Sequence, residues 1–197
     1  MAKSAILAAG FVDLSDGGIE YHTGECLVIE DGRMVGFEAV GSLPAEVTVI
    51  DRSADYCIPG LVDAGLLAGL IVSEDVKRPN RYGESVWLAK QAVEMWVRGG
   101  TMSAASMGAY DRMDLDLRAS IGEGRLEGPR VYPALSPLVP AGATNFHLLY
   151  GVREVHGADE ARRAVRELIK QGAERIVVYA DVPLEFHPDP TETSRHR

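Results

Sequence analysis

The feature that most constrains the fold is a change of hydrophobic pattern at residue 59. From there to residue 180 the sequence alternates short apolar runs with amphipathic segments. Such an alternation predicts a parallel sheet whose strands are joined by helical, right-handed crossovers. The predicted strands follow Pro59-Gly60 and cover residues 101–107, 129–135 and 173–180, and the predicted helices cover residues 84–98, 114–124 and 159–171.

The apolar runs and turn signals of residues 1–58 predict a separate, compact β unit. Asp31-Gly32 is a strong two-residue hairpin signal between two apolar runs. The predicted strands of this unit cover residues 5–12, 25–30, 33–37 and 47–51. We therefore expect a small β domain over residues 1–58, an α/β domain over residues 59–185 and a mobile polar tail over residues 186–197.

Charge and cysteine content narrow the classes of partner and location. The formal net charge is −9 and no basic stripe offsets it, which argues against nucleic acid and anionic membranes as partners. The sequence has no run of about 18 apolar residues, the length that spans a bilayer. Cys26 and Cys57 fit no zinc or redox spacing. We therefore expect buried free thiols and a reducing, cytoplasmic location.

Four stretches of the chain resemble motifs of one enzyme family. They are PGLVD at residues 59–63, GTMSAASMG at 100–108, LRASIGEGRLEGPRVYPAL at 117–135 and DEARRAVRELIKQGAERIVVY at 159–179. With the strand order of the first 58 residues, they make residues 5–181 similar to the amidohydrolase superfamily, in its imidazolonepropionase-like and prolidase-like branch. The resemblance implies an α/β fold, with a small N-terminal β-sandwich-type domain followed by roughly the first half of a TIM (β/α)8 barrel. A closed barrel needs eight strands and about 250 residues, and this chain supplies about four β/α units.

The resemblance also locates the positions that hold the catalytic metal in this family. Gly65 and Leu67 stand where the family has two histidines, and Val177 stands where it has a metal-bridging lysine. Glycine and aliphatic side chains offer a metal no nitrogen, oxygen or sulfur donor. We therefore expect no cofactor in this chain, and zinc or a similar metal only where a partner chain supplies the ligands.

Three other residues are candidates for a pocket, each with a structural alternative. Asp63 matches the family's aspartate beside the metal strand, which implies a place in the pocket. The alternative is that its carboxylate accepts hydrogen bonds from loop backbone amides. His147 lies in a long loop of the kind that builds TIM-barrel sites, or it is a surface residue. Arg130 either contacts a substrate or ties a strand end by a salt bridge. Asp114 is expected to cap its helix. The remaining histidines are expected to face solvent: His22, His156, His187 and His196.

Half a barrel leaves two strand edges and an inner face uncovered. We expect that inner face to be apolar and to include Leu66, Leu67, Val131, Ile176 and Val178. Exposing about 500 Å² of such surface forfeits about 12 kcal/mol, which is comparable to the whole stability of a domain. We therefore expect a partner over this face, either a complementary amidohydrolase-like chain or a second copy in a homo-oligomer.

Together these expectations favour a non-catalytic structural or regulatory subunit, a pseudoenzyme that completes a barrel with a partner chain. The alternative is one subunit of a two-chain, metal-dependent hydrolase that acts on C–N bonds of amides, cyclic ones included, or of dipeptides. In that case the partner supplies the ligands. A third hypothesis is a truncated reading frame without function, which predicts an insoluble product.

Overall fold

The structure, a computed structural model, describes residues 3–14, 17–66, 82–109, 112–141 and 151–180. Leu67, His147 and the predicted tail lie outside these ranges. Contacts between residues divide the chain into two compact units, Met1–Pro59 and Gly60–Arg197. No helix in the described part of the chain is long and apolar enough to cross a membrane.

The first unit is a five-stranded, mainly antiparallel sheet. Its strands are β1 (Lys3–Asp13), β2 (Glu20–His22), β3 (Glu25–Glu30), β4 (Arg33–Ala39) and β5 (Thr48–Cys57). β1 pairs antiparallel with β2 and β3 and parallel with β5, and β3 pairs antiparallel with β4. Among the described strands, β2, β4 and β5 each pair with a single neighbour.

The β3–β4 hairpin forms where the sequence predicts it. Asp31 and Gly32 have φ angles of +49° and +77°, and two positive φ angles are what a type I′ turn requires. Strand β5 continues well past its predicted end at residue 51. The three-residue strand β2 was not predicted, because three residues are too few for an alternating pattern to show.

One hydrophobic cluster of the first unit lies on one face of its sheet. Ala8, Phe11 and Leu27 are buried there, and Phe37 packs against them. His22 joins this aromatic group, since its ring stacks on Phe37 with 3.8 Å between the ring centroids. The expectation that His22 faces solvent is therefore wrong: its position directly opposite Phe11 in the ladder turns the side chain toward the aromatic face.

The second unit alternates parallel strands with helices, as the sequence pattern predicts. A three-stranded parallel sheet contains β6 (Leu61–Leu66), β7 (Thr101–Ser106) and β8 (Arg130–Tyr132), and a parallel pair contains β9 (Leu138–Pro140) and β10 (Arg153–Val155). The helices are α1 (Tyr82–Arg98), α2 (Met113–Gly122) and α3 (Ala158–Gln171). The described strands thus form two small parallel sheets instead of one continuous four-stranded half barrel.

Helices α1 and α2 cover one face of the β6–β8 sheet. Leu66 and Val131 are buried in one cluster with residues of both helices, including Val93 and Leu117. The expectation that Leu66 and Val131 face the barrel interior is therefore wrong. In β6 the pairing register shifts between Asp63 and Leu66, and such a bulge changes the face to which the following side chain points.

The same correction applies to Ile176. This side chain packs against the cluster that Ala164 and Leu168 of α3 form with Leu135 and Leu138. It is therefore a helix-facing residue and does not belong to an inner barrel face. Val178, in contrast, is exposed.

The opposite face of the β6–β8 sheet carries no helix among the described residues. Val62, Ser103 and Arg130 lie side by side in the ladder. They alternate with the helix-facing residues Ala104 and Val131, so they point to the helix-free side. Val62 is 71% exposed. The face is a mixture of polar and apolar groups, so the expectation of a wholly apolar inner face is wrong.

The predicted fourth strand over residues 173–180 is much shorter than expected. Only an isolated parallel bridge joins Val178 to Leu138. The N–H of Leu138 donates to the carbonyl of Val177, and the N–H of Tyr179 donates to the carbonyl of Leu138, each at 2.9 Å. The sequence predicts a loop over residues 136–150, rich in Pro, Gly and Ala, yet β9 lies within these residues. Pro137 and Pro140 lack an N–H, which limits the length of any ladder there.

Candidate functional site at the carboxyl edge of the parallel strands

Sites in parallel α/β folds are built where the strands end. In the second unit this edge contains Leu66 together with residues 106–109 and 132–135, and we call it the carboxyl rim. The N–H of Met107 donates to the carbonyl of Leu66 at 2.8 Å, and the N–H of Ala109 donates to the carbonyl of Leu135 at 3.0 Å. Backbone hydrogen bonds therefore join the ends of all three strands.

Asp63 lies in β6 just before the carboxyl rim and is half-buried. Its Oδ1 accepts a hydrogen bond from the N–H of Gly65 at 2.8 Å. This contact spans the register shift in β6, so the carboxylate holds the bulged backbone in place. A structural aspartate makes bonds of this kind.

At the described positions where the resemblance leads one to expect metal ligands, Gly65 and Val177 have no ligand side chain, and at Gly65 crowding is not the reason. A Cβ built on Gly65 meets nothing nearer than Asp63 Oδ1 at 3.8 Å. Val177 is buried, and its carbonyl accepts the N–H of Leu138. Among the described residues, no group of three or more His, Cys, Asp or Glu side chains lies close enough to hold a metal ion.

Asp114 joins helix α2 to the carboxyl rim. The side chain is fully buried, and its Oδ2 accepts the N–H groups of Ala134 and Leu135 at 2.8 and 3.0 Å. Leu135 has a φ of +59°, a strained conformation for a leucine. The expectation that Asp114 caps its helix is wrong: Arg112 is the N-cap residue, no side chain bonds there, and the carboxylate points to the neighbouring loop.

Gly108 allows the loop after β7 to approach the loop after β8. Its φ is +114°, and a side chain at this position would overlap the ring of Pro137. The N–H of Gly108 donates to Oγ of the buried Ser106 at 3.1 Å. Only glycine meets both requirements, a positive φ and close packing.

Tyr179 is a residue of the site that the sequence reasoning missed. Its hydroxyl donates to the carbonyl of Met107 at 2.8 Å, which ties the chain after α3 to the carboxyl rim. Burial raises the pKa of the Tyr179 phenol, so the group stays a neutral donor at physiological pH. The only signal in the sequence is its position at the end of the apolar run 176–178, and that position indicates no role for the phenol.

Arg130 lies away from the carboxyl rim, at the first residue of β8. The side chain is exposed, and its guanidinium carbon stands 5.0 Å from the centre of the Tyr132 ring. The salt bridge proposed as its structural role is not found with any residue that the structure describes. The neighbouring aromatic ring provides a cation–π contact instead.

Solved structures share the fold of this chain, whereas no protein-family model and no curated protein matches its sequence. A Xaa-Pro dipeptidase with bound methionine superposes with a TM-score of 0.76 at 22% identity, covering 90% of this chain and 47% of that chain. A putative prolidase from Bifidobacterium longum gives 0.69 at 20% identity, covering 93% and 42%. Ochratoxinase from A. niger gives 0.67 at 18% identity, covering 90% and 46%.

These comparisons confirm the resemblance at the level of the fold. The chain folds like part of a prolidase- or amidohydrolase-type structure, and it spans less than half the length of each structure named above.

Proposed function

We propose that this chain is a non-catalytic, amidohydrolase-like subunit, with a structural or regulatory role, whose barrel is completed by a separate complementary chain. The helix-free face of the β6–β8 sheet is the observation that carries the proposal. Parallel sheets are normally covered on both faces, yet Val62 on this face is 71% exposed. A chain that covers the face would complete the second layer of the fold.

The outer edge of β6 supports the same proposal. Within the described part of the chain, β6 pairs only with β7, which leaves its other edge open. An open, unguarded strand edge is a template for pairing with another strand. A parallel strand from a complementary chain would satisfy these backbone groups.

Arg130 indicates what such a partner must carry. Its guanidinium lies on the helix-free face beside Ser103, and it has no carboxylate partner among the described residues. Covering the face removes water from this charge, and a buried charge without a partner is costly. We therefore expect the partner to place an acidic side chain over Arg130.

The replaced metal positions support a non-catalytic role. Gly65, Leu67 and Val177 all lack donor atoms. At Gly65 the backbone leaves room for a side chain, so packing does not impose the loss of a ligand there. A subunit that serves as a scaffold has no need of these ligands.

The test is to purify the chain from its native source and to measure particle mass, subunit composition and zinc content. We expect a heteromeric particle, and we expect the isolated chain to bind zinc at far below one ion per chain. Stoichiometric zinc on the isolated chain would overturn the non-catalytic assignment. A particle that contains this chain alone would overturn the proposed partner.

A second candidate is the two-chain, metal-dependent hydrolase of C–N bonds. The carboxylate of Asp63, 3.8 Å from a Cβ placed on Gly65, supports it, because a carboxylate there could add to metal ligands that a partner chain supplies. This candidate predicts that the purified complex, loaded with zinc, hydrolyses amides, lactams or dipeptides. It also predicts that Asp63→Asn lowers the rate about 100-fold. An inactive zinc-loaded complex would exclude this candidate for those substrates.

A further inference from the structure

The exposed side of helix α3 carries a row of positive charges. Ala164 and Leu168 are buried beneath the helix, whereas Arg163, Arg166 and Lys170 are exposed. Residues three, four and seven positions apart in a helix lie on the same side of it. The three cations therefore form one row, about 10 Å long, which we call the cationic stripe.

The carboxylates of the same helix are engaged with other groups. Asp159 pairs with Arg162 at 2.7 Å, and Glu167 pairs with Arg153 of β10 at 2.7 Å. Oε2 of Glu160 accepts a backbone N–H from the loop before the helix at 2.8 Å. The acidic residues of α3 therefore do not neutralise the stripe.

The cations of the stripe have no side-chain partner in the described part of the chain. No hydrogen bond or ion pair joins the side chains of Arg163, Arg166 and Lys170 to another described residue. The whole chain has 29 acidic and 20 basic residues, so carboxylates are in excess. A positive stripe that remains unneutralised in such a chain is a surface suited to an acidic ligand.

An exposed aliphatic side chain borders the stripe. Ile169 is 57% exposed, and it lies next to Arg166 on the helix surface, three positions further along. The charged side chains around the stripe line an open groove: Asp159, Arg162, Arg163, Arg166, Glu167 and Lys170. The surface therefore offers several cations, one apolar contact and a shallow groove.

We propose that the cationic stripe docks an acidic, amphipathic helical segment of another polypeptide. Guanidinium groups bind carboxylates through two parallel hydrogen bonds, and arginine is enriched in protein interfaces. Glutamates at positions i, i+3 and i+7 of a partner helix have the same spacing as Arg163, Arg166 and Lys170. An apolar residue beside these glutamates would cover Ile169. Charge complementarity and spacing together define this occupant.

Nucleic acid and anionic membranes match the surface less well than an acidic segment does. Asp159 and Glu167 also line the groove, and the net charge of the chain is −9. An extended array of phosphates meets the field of the whole protein, so both features oppose its binding. A short acidic segment contacts the stripe alone.

The test measures by fluorescence anisotropy how tightly the full chain, in the assembly in which it purifies, binds a synthetic peptide. The peptide is an amphipathic helix with glutamates at the three spaced positions and leucines beside them. A triple variant with Arg163→Gln, Arg166→Gln and Lys170→Gln should bind about tenfold more weakly, because three exposed ion pairs are lost. Ile169→Ala should also weaken binding. Raising the salt concentration from about 50 to about 500 mM should weaken binding to the wild type.

The matched control removes the same amount of charge elsewhere. Arg33, Arg98 and Arg125 are exposed and lie outside α3, so their combined replacement by glutamine should leave peptide binding unchanged. Equal binding by the wild type and the stripe variant would overturn the proposal. Tighter binding of an RNA oligonucleotide or of anionic vesicles than of the peptide would also overturn it.

A cross-linking measurement covers the case in which the purified assembly already occupies the stripe. A carbodiimide joins an amine directly to a carboxylate that is in contact with it. It should couple Lys170 to an aspartate or glutamate of another polypeptide, and mass spectrometry of the linked fragment identifies that residue. Absence of both peptide binding and this cross-link would overturn the proposal.

Discussion

Single side chains hold the carboxyl rim together, and several of them come from distant parts of the sequence. Asp114 binds the loop after β8, and Tyr179 binds the loop after β7. Asp63 bonds its own strand across a bulge. These side chains hold the backbone in position, so the removal of any one of them should lower the free energy of unfolding.

Asp114→Ala should lower the free energy of unfolding by about 3 kcal/mol, because two buried backbone N–H groups lose a charged acceptor. Urea denaturation of the variant measures the change. The matched control is Asp116→Ala, since Asp116 is in the same helical turn but exposed. Its loss should cost less than about 1 kcal/mol. Equal costs for the two variants would contradict the role assigned to Asp114.

Tyr179→Phe should remove a stabilising hydrogen bond worth about 1 kcal/mol at neutral pH. Burial raises the pKa of the phenol in the folded state, so the folded chain holds this proton more tightly than the unfolded chain. The advantage of the wild type over the variant is therefore complete below the ordinary tyrosine pKa of about 10. This advantage is lost as the pH rises through the raised pKa of the folded state. Unfolding curves of both proteins at pH 7, 9 and 10.5 measure the advantage. An advantage that grows with alkaline pH would contradict this assignment.

At the scale of elements, helices follow the sequence pattern more closely than strands do. Helix α3 buries Leu168, as its apolar period predicts, whereas Ile169, which the same period places on the apolar face, is largely exposed. Its end at Gly172 follows from a φ of +108°, which favours glycine. The amphipathic pattern therefore predicts the helix and the burial of Leu168, but not the exposure of Ile169.

Leu168→Ala should lower the free energy of unfolding by about 3 kcal/mol, because it opens a cavity in the cluster beneath α3. Ile169→Ala is the matched control, as it removes a neighbouring aliphatic side chain that is largely exposed. That change should cost about 0.5 kcal/mol. Thermal or urea unfolding of the two variants provides the comparison, and similar losses would show that α3 does not pack as described.

The sequence predicts local structure better than it predicts which residues of separate strands and helices come into contact. Asp31-Gly32 defines a hairpin because its turn chemistry is local. The face of Leu66 was predicted wrongly because a bulge at Asp63 depends on pairing with β7. Asp114 and His22 were also misassigned, since their partners are set by packing between separate elements. Tyr179 was missed because a phenol that binds a distant carbonyl leaves no motif.

At the scale of the whole molecule, the helix-free face of the second unit is the feature that requires explanation. Its residues Val62 and Arg130 are exposed, while the opposite face is buried under two helices. The solved structures of the same fold are more than twice as long as the matched part. The proposed complementary chain would cover both the exposed face and the open edge of β6.

Thiol labelling tests whether this face becomes covered. In a background with Cys26 and Cys57 replaced by serine, Val62→Cys should react rapidly with a maleimide in the isolated chain. It should react at least about tenfold more slowly in the purified complex, because a protein interface excludes the reagent. Val131→Cys, which is buried in the chain itself, should be slow in both. Fast labelling of Val62→Cys in the complex would place the partner elsewhere.

The central proposal is that a different polypeptide completes the fold of this chain. Native mass spectrometry of the particle purified from its source tests this claim most directly. We predict a particle that contains this chain and an equimolar amount of a second, different polypeptide, which separate on denaturation. A particle with the mass of a single copy of this chain, stable and soluble without a partner, would contradict the claim.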